Sequence, residues 1–98
     1  MEIIEINKNR RSIVKITEDE RRLILDCLEM YKSKIGKEER YEIDKLKYNV
    51  INQNERISMS KFEAYTIQDV LNKVGAFTTE INDIIKVMQY LIDRINAE

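Results

Sequence analysis

Apolar residues recur at helical spacing in four stretches of the chain, and polar residues separate these stretches. The most regular pattern lies near the C-terminus, where apolar residues return every three or four positions. It predicts a helix that is capped by Thr78 or Thr79 and continues almost to the last residue. The apolar surface of this helix is formed by Ile81, Ile84, Ile85, Met88, Leu91, Ile92 and Ile95. It exceeds what packing against a single neighbouring helix requires, so the helix either touches several neighbours within its own four-helix core or leaves apolar surface for a partner.

Three earlier stretches carry shorter versions of the same pattern and predict helices at about 17–35, 37–52 and 61–74. Gly36 and Gly75 follow the first and third of these stretches. Glycine is common immediately after a helix end, so both residues are expected to end a helix.

Short runs of β-branched residues predict strands before the first and third helices. Residues 2–6 and 12–16 flank an Asn-rich turn and indicate a β-hairpin, and residues 56–59 can add a third strand. The expected fold is mainly α. It is a single domain of 98 residues, with a β-hairpin at 1–16 and two helical hairpins at 17–54 and 55–98.

Two segments of the chain repeat the same polar and apolar positions 43 residues apart. Each begins with a hydroxyl residue followed three positions later by glutamate, which is the sequence signature of a capping box. The matching pairs are Thr17 and Ser60, Glu20 and Glu63, Ile24 and Ile67, Asp26 and Asp69, and Leu28 and Leu71. Two interpretations remain open: helix starts that resemble each other by chance, or an ancient duplication of one strand–helix–helix unit.

The residue inventory argues against catalysis. The chain has no histidine, two glycines and one cysteine, so the usual general base, an ordinary zinc site and a glycine-rich phosphate loop are all missing. Cys27 falls in the apolar stripe of the first helix, where its thiol should be buried with a raised pKa. We therefore expect neither an enzyme, nor a cofactor, nor a bound metal.

Charge and cysteine content suggest the cellular setting. Lysine and arginine total 17 and aspartate and glutamate 18, so the net charge is −1 and does not call for a polyanionic partner. No apolar run reaches the length of about 18 residues that a membrane-spanning helix needs. A single cysteine fits a reducing cytoplasm. The abundance of Lys, Ile and Asn suggests an AT-rich genome, such as that of a low-G+C bacterium or one of its phages.

A cluster of cations offers one alternative function. Arginines in the hairpin turn and at the start of the first helix, near tyrosines of the second helix, could bind an anionic nucleotide or an acidic surface. The residues concerned are Arg10, Arg11, Arg21, Arg22, Tyr41 and Tyr48.

A second alternative is DNA binding, because residues 69–87 resemble a helix-turn-helix with Gly75 in the turn. Glu80 and Asp83 would stand at the start of the recognition helix, where phosphates repel them. Leu71 is also bulky for a position that usually holds a small residue. These features disfavour a nucleic acid as the partner.

The sequence thus predicts a non-catalytic helical interaction protein, acting as an adaptor, inhibitor or assembly factor. Its expected partner is another protein or a second copy of itself, contacted through the apolar residues of the last helix.

Overall fold

The fold consists of four helices and one small antiparallel sheet, as the hydrophobic pattern predicts. The computed structural model describes residues 1–75 and 78–97. The elements are β1 (Glu2–Glu5), β2 (Ser12–Lys15), α1 (Glu18–Lys32), α2 (Lys37–Ile51), β3 (Arg56–Met59), α3 (Lys61–Val74) and α4 (Thr79–Asn96).

The sheet has the order β1-β2-β3, and both pairs of neighbouring strands are antiparallel. Alternation along β2 and β3 sends Val14, Ile57 and Met59 into the core, and Lys15 and Arg56 into solvent. The third strand predicted at 56–59 is therefore confirmed. It joins the hairpin to the second pair of helices.

The sheet lies across one end of the helices. Helices α1 and α3 start directly after β2 and β3 and lead away from the sheet. Helices α2 and α4 return to it. Asn49 near the end of α2 donates to the Ser58 carbonyl oxygen at 3.1 Å, and the ammonium group of Lys8 donates to the carbonyl oxygen of Ala97 after α4.

One apolar core joins the sheet and all four helices. Helix α4 packs extensively on α3 and also contacts α1 and β1, whereas α2 packs mainly on α1. Helix α4 thus packs against three other elements of the chain, which accounts for its broad apolar surface.

The predicted helix starts are confirmed. The Thr17 hydroxyl accepts from the Glu20 amide at 3.2 Å, and the Glu20 carboxylate accepts from the Thr17 amide at 2.9 Å. Ser60 and Glu63 form the same reciprocal pair at 3.1 and 3.0 Å. These bonds satisfy amides that the first turn of a helix leaves without intrahelical partners. Thr78 caps α4.

The prediction for Gly36 is wrong. Helix α1 ends at Lys32 with Ser33 as its C-cap, and Gly36 is instead the N-cap of α2. Local polar bonds close α1 early: the Lys34 amide donates to the Tyr31 carbonyl oxygen at 2.9 Å. Gly75 does follow the end of α3, as predicted, but its φ of −72° is not left-handed.

The sheet contains a local two-fold axis that matches the sequence repeat. Val14 pairs with Ile57, which is 43 residues later, and each residue stands three positions before a helix cap. Ile13 pairs with Ser58, and Lys15 pairs with Arg56. The repeat matches Ile13 to Arg56 and Lys15 to Ser58, so it converts one of these pairs into the other. The buried residues of α1 and α3 also follow it: Ile24 and Ile67, Cys27 and Val70, and Leu28 and Leu71. This register favours the duplication hypothesis.

Within the described residues, every helix is too short or too polar to cross a membrane.

Candidate partner-binding groove

The apolar residues predicted to form a partner surface on α4 lie inside the chain's own core. Six of them are buried against the neighbouring helices: Ile81, Ile84, Met88, Leu91, Ile92 and Ile95. Ile85 is half-buried and packs against the same core. The folded chain therefore already covers the residues that the sequence assigned to a partner, because α4 occupies a more central position than its pattern revealed.

The six residues predicted to bind an anion do not converge on one cavity. Arg21 is 7% exposed, and its guanidinium group donates to the carbonyl oxygens of Val50 and Asn54. Arg11 is engaged by Glu63 and Ser58. The remaining four residues are exposed at separate places: Arg10 in the hairpin turn, Arg22 on α1, and Tyr41 and Tyr48 on α2.

A groove lies between α2 and α3, with a cavity volume of about 430 Å³. Volumes of this size are typical of ligand-binding clefts. Apolar side chains from three helices line it: Tyr31 of α1, Ile43 and Leu46 of α2, and Phe62 and Val70 of α3. The polar lining is contributed by Arg11, Glu39, Glu42, Lys45, Glu63, Thr66 and Asp69.

The groove has a closed end and an open end. Near the sheet, the Asn49 amide group donates to the Glu63 carboxylate at 3.2 Å and bridges α2 to α3. Tyr31, at the other end of the groove, lies below the cation of Lys73, with 5.6 Å between the ammonium nitrogen and the ring centroid. The groove therefore runs along the two helices, away from the sheet.

The groove exists because the two halves of the molecule pack differently. Under the local two-fold axis, the α2–α3 contact corresponds to the contact between α4 and α1, where the two helices do touch. Helix α2 buries only Ile43, Leu46 and Val50 of its described side chains, whereas α4 buries six. With fewer apolar side chains to cover, α2 stays on α1 and leaves α3 partly uncovered.

Polar contacts hold α2 against α1. Lys32 pairs with Asp44 at 2.8 Å, and Lys47 pairs with Glu29. Hydrogen bonding to these partners raises the pKa of Lys32 and lowers the pKa of the Glu29 carboxyl. Exposed pairs of this kind contribute little free energy to the contact between α1 and α2.

Phe62 is the most exposed apolar side chain at the groove. It stands in the first turn of α3, and 67% of its surface is open to solvent. Sequence reasoning missed it because Phe62 lies outside the apolar stripe of its helix. A large aromatic residue on the polar face of a capped helix is the signal that could have identified it.

Among the described residues, no group of three metal-ligating side chains is arranged to hold a metal ion. Cys27 is buried, and its burial, with a smaller effect of Asp26, raises the pKa of the thiol, as the sequence predicts. The neutral thiol is a poor nucleophile.

Fold and site together define a mainly α protein with an apolar groove between two helices. Comparisons with known protein families, with curated proteins and with solved structures found no match.

Proposed function

We propose that this protein is a non-catalytic interaction module that binds a helical segment of another protein in the α2–α3 groove. The observation that carries the proposal is the unfilled apolar groove with Phe62 exposed at its edge. A helix laid along such a groove buries apolar side chains at positions i, i+3, i+4 and i+7. Adaptor, inhibitor and assembly roles in the cytoplasm all use this mode of binding.

The dimensions of the groove support a short helix as its occupant. The lining runs from Glu39 to Leu46 on α2 and from Phe62 to Val70 on α3, which corresponds to roughly 12 Å at about 1.5 Å per residue. A partner helix of about two turns spans this length. Since Phe62 projects into solvent, it can fold over an incoming apolar side chain and exclude water from the contact.

A nucleotide finds weaker support as the ligand, because the arginines nearest to an apolar surface are already paired. Arg11 binds Glu63 and Ser58, and Arg21 is buried among carbonyl oxygens. A phosphate would have to compete with these partners. Nucleotide binding remains an alternative, and equilibrium dialysis against labelled nucleotides tests it.

Selection from a displayed library of helical peptides tests the proposal. The library varies Leu, Ile, Met and Phe at anchor positions along one helix face. Enriched peptides should bind the wild-type protein and shift the amide resonances of groove residues such as Leu46 and Thr66. The variant Phe62→Asp should bind them at least about 10-fold more weakly, because it replaces the exposed aromatic contact at the edge of the groove with a charge.

Tyr90→Asp is the matched control. Tyr90 is 52% exposed on α4, where it borders a different surface with Lys86 and Val87. This variant should bind the selected peptides as tightly as the wild type does. Peptides that bind both variants equally, or shift resonances away from the groove, would contradict the assignment.

A further inference from the structure

The charges around the groove bear on the chemistry of its partner, and the inference rests on the proposed function. We infer that the partner helix carries lysine or arginine at the end that lies beside Glu39 and Glu42 of α2. The groove would thus select a cationic amphipathic helix over a neutral or an anionic one.

Charge is unevenly distributed along the groove. At the sheet end, the Arg11 guanidinium group meets the Glu63 carboxylate, and its Nη2 atom donates to the Ser58 carbonyl oxygen at 2.9 Å. This end is therefore internally neutralised. At the open end, Glu39 and Glu42 lie three positions apart on the face of α2 that lines the groove.

The carboxylates at the open end are the least compensated of the lining. Asp69 pairs with Lys73 at 3.0 Å, whereas Glu42 and Lys45 are 3.9 Å apart and both more than half exposed. Within the described part of the chain, Glu39 lies in no ion pair. A cation arriving on a partner helix would find Glu39 free to bind it.

The apolar floor beside these carboxylates suits the stem of a long cationic side chain. Ile43 and Leu46 line the groove on the same helix as Glu39 and Glu42. A lysine or arginine can lay its methylene groups on such a surface and keep its charged end at the rim. An anionic side chain at the same place would be repelled, which adds discrimination between partners.

The effect of these charges on the affinity for the partner should be modest, because they are exposed to solvent. A single exposed ion pair contributes about 0.2–1 kcal/mol, which corresponds to an affinity change of about 1.4- to 5-fold. Rim charges act mainly on the association rate and on its salt dependence. The tests should therefore include measurements at low and at high salt.

Three synthetic helical peptides provide the first test. They share one set of apolar anchors and differ only in carrying Lys, Gln or Glu at the flanking positions. Fluorescence anisotropy should give affinities in the order Lys, Gln, Glu at low salt, and the differences should shrink at high salt.

Glu39→Gln and Glu38→Gln form a matched pair of variants. Both residues occupy the first turn of α2 and favour its helix dipole equally, but Glu39 lines the groove and Glu38 lines a separate surface with Tyr41. Glu39→Gln should weaken the Lys peptide about 2- to 5-fold and leave the Gln peptide unchanged. Glu38→Gln should change neither. Adding Glu42→Gln to Glu39→Gln should deepen the loss.

The outcomes separate the two proposals. Equal binding of all three peptides at the groove would overturn the charge inference and leave the proposed function standing. If none of the peptides binds, nor any enriched by selection, both fall. Sedimentation that shows a dimer weakened by Phe62→Asp would assign the groove to a second copy of the chain and overturn the cationic partner.

Discussion

At the residue scale, Gly75 shows how one missing side chain fixes the junction between two helices. A Cβ atom built there would stand 2.5 Å from the Leu71 carbonyl oxygen and 3.1 Å from a methyl carbon of Ile81. The backbone therefore approaches itself more closely than any other residue type permits. Gly36 is the opposite case, since a Cβ atom there would meet nothing within 4 Å.

This contrast predicts unequal effects of the same substitution. Gly75→Ala should lower the free energy of unfolding by about 1–3 kcal/mol, because the added methyl group overpacks the α3–α4 junction. Gly36→Ala should change it by less than about 1 kcal/mol, because alanine is a poorer N-cap than glycine but loses less conformational entropy on folding. Urea denaturation of both variants measures the difference. Equal effects would mean that the backbone around Gly75 shifts enough to accommodate a methyl group without loss of stability.

Cys27 links the stability of the fold to alkaline pH. Burial raises the pKa of its thiol in the folded state, so the unfolded chain loses this proton first as pH rises. The stabilisation that comes from this difference in pKa is fully present below about pH 8.5, where an unfolded thiol ionises. It is lost as pH rises toward the folded-state pKa. The slope should approach about 1.4 kcal/mol per pH unit.

Cys27→Ala provides the comparison. The variant is expected to be less stable at neutral pH, because it removes buried volume. Its stability should nevertheless fall less steeply between neutral and alkaline pH than that of the wild type. Parallel curves for the two proteins would show that the thiol does not contribute to the alkaline transition.

At the element scale, α2 is anchored to α1 by the buried side chain of Arg21. The guanidinium group reaches the carbonyl oxygen of Val50 in the last turn of α2 and that of Asn54 in the loop before β3. It also pairs with Glu18 at 3.2 Å. One side chain thus satisfies acceptors that the end of a helix leaves without intrahelical partners.

Replacing Arg21 should lower the free energy of unfolding. Arg21→Met should destabilise the fold by about 3 kcal/mol, since it leaves buried carbonyl oxygens without donors. Arg22→Met changes the exposed neighbour and should shift stability by less than about 0.5 kcal/mol. Thermal unfolding followed by circular dichroism compares the two. Similar losses would show that Arg21 acts through its general charge instead of its contacts.

Elements defined by local chemistry were predictable from the sequence. Thr17 and Ser60 cap helices because amides at the helix start lack intrahelical acceptors. The hydroxyl groups and the following glutamates supply these acceptors within one turn. Gly36 was misassigned, because glycine fits both an N-cap and a position after a helix end, and the bonds that end α1 early are not encoded in its hydrophobic pattern.

The groove was beyond sequence reasoning for a different reason. Its existence depends on how far α2 stands from α3, which follows from the packing of all four helices together. The apolar excess on α4 predicted more contacts than one neighbouring helix supplies, and these contacts were wrongly assigned to a partner. The sequence could not show that α3, α1 and β1 of the same chain supply them.

At the scale of the whole molecule, the two helical hairpins differ in how firmly their second helix is held. Helix α4 is fixed by apolar contacts with α3, α1 and β1. Helix α2 relies on three buried side chains, on the Arg21 contact at its C-terminal end and on exposed ion pairs with α1. The same asymmetry opens the groove and weakens the attachment of the helix that borders it.

Native-state hydrogen exchange should therefore rank the helices. Amides in α2 should exchange through an opening of lower free energy than amides in α3 and α4, because a local opening of α2 exposes less apolar surface. High salt should lower the protection of α2 selectively, since it screens the Lys32–Asp44 and Lys47–Glu29 pairs. A peptide bound in the groove should raise that protection, because it bridges α2 to α3. Uniform exchange across all four helices would mean that the fold opens as one unit, and the groove would then be a rigid feature instead of an adjustable one.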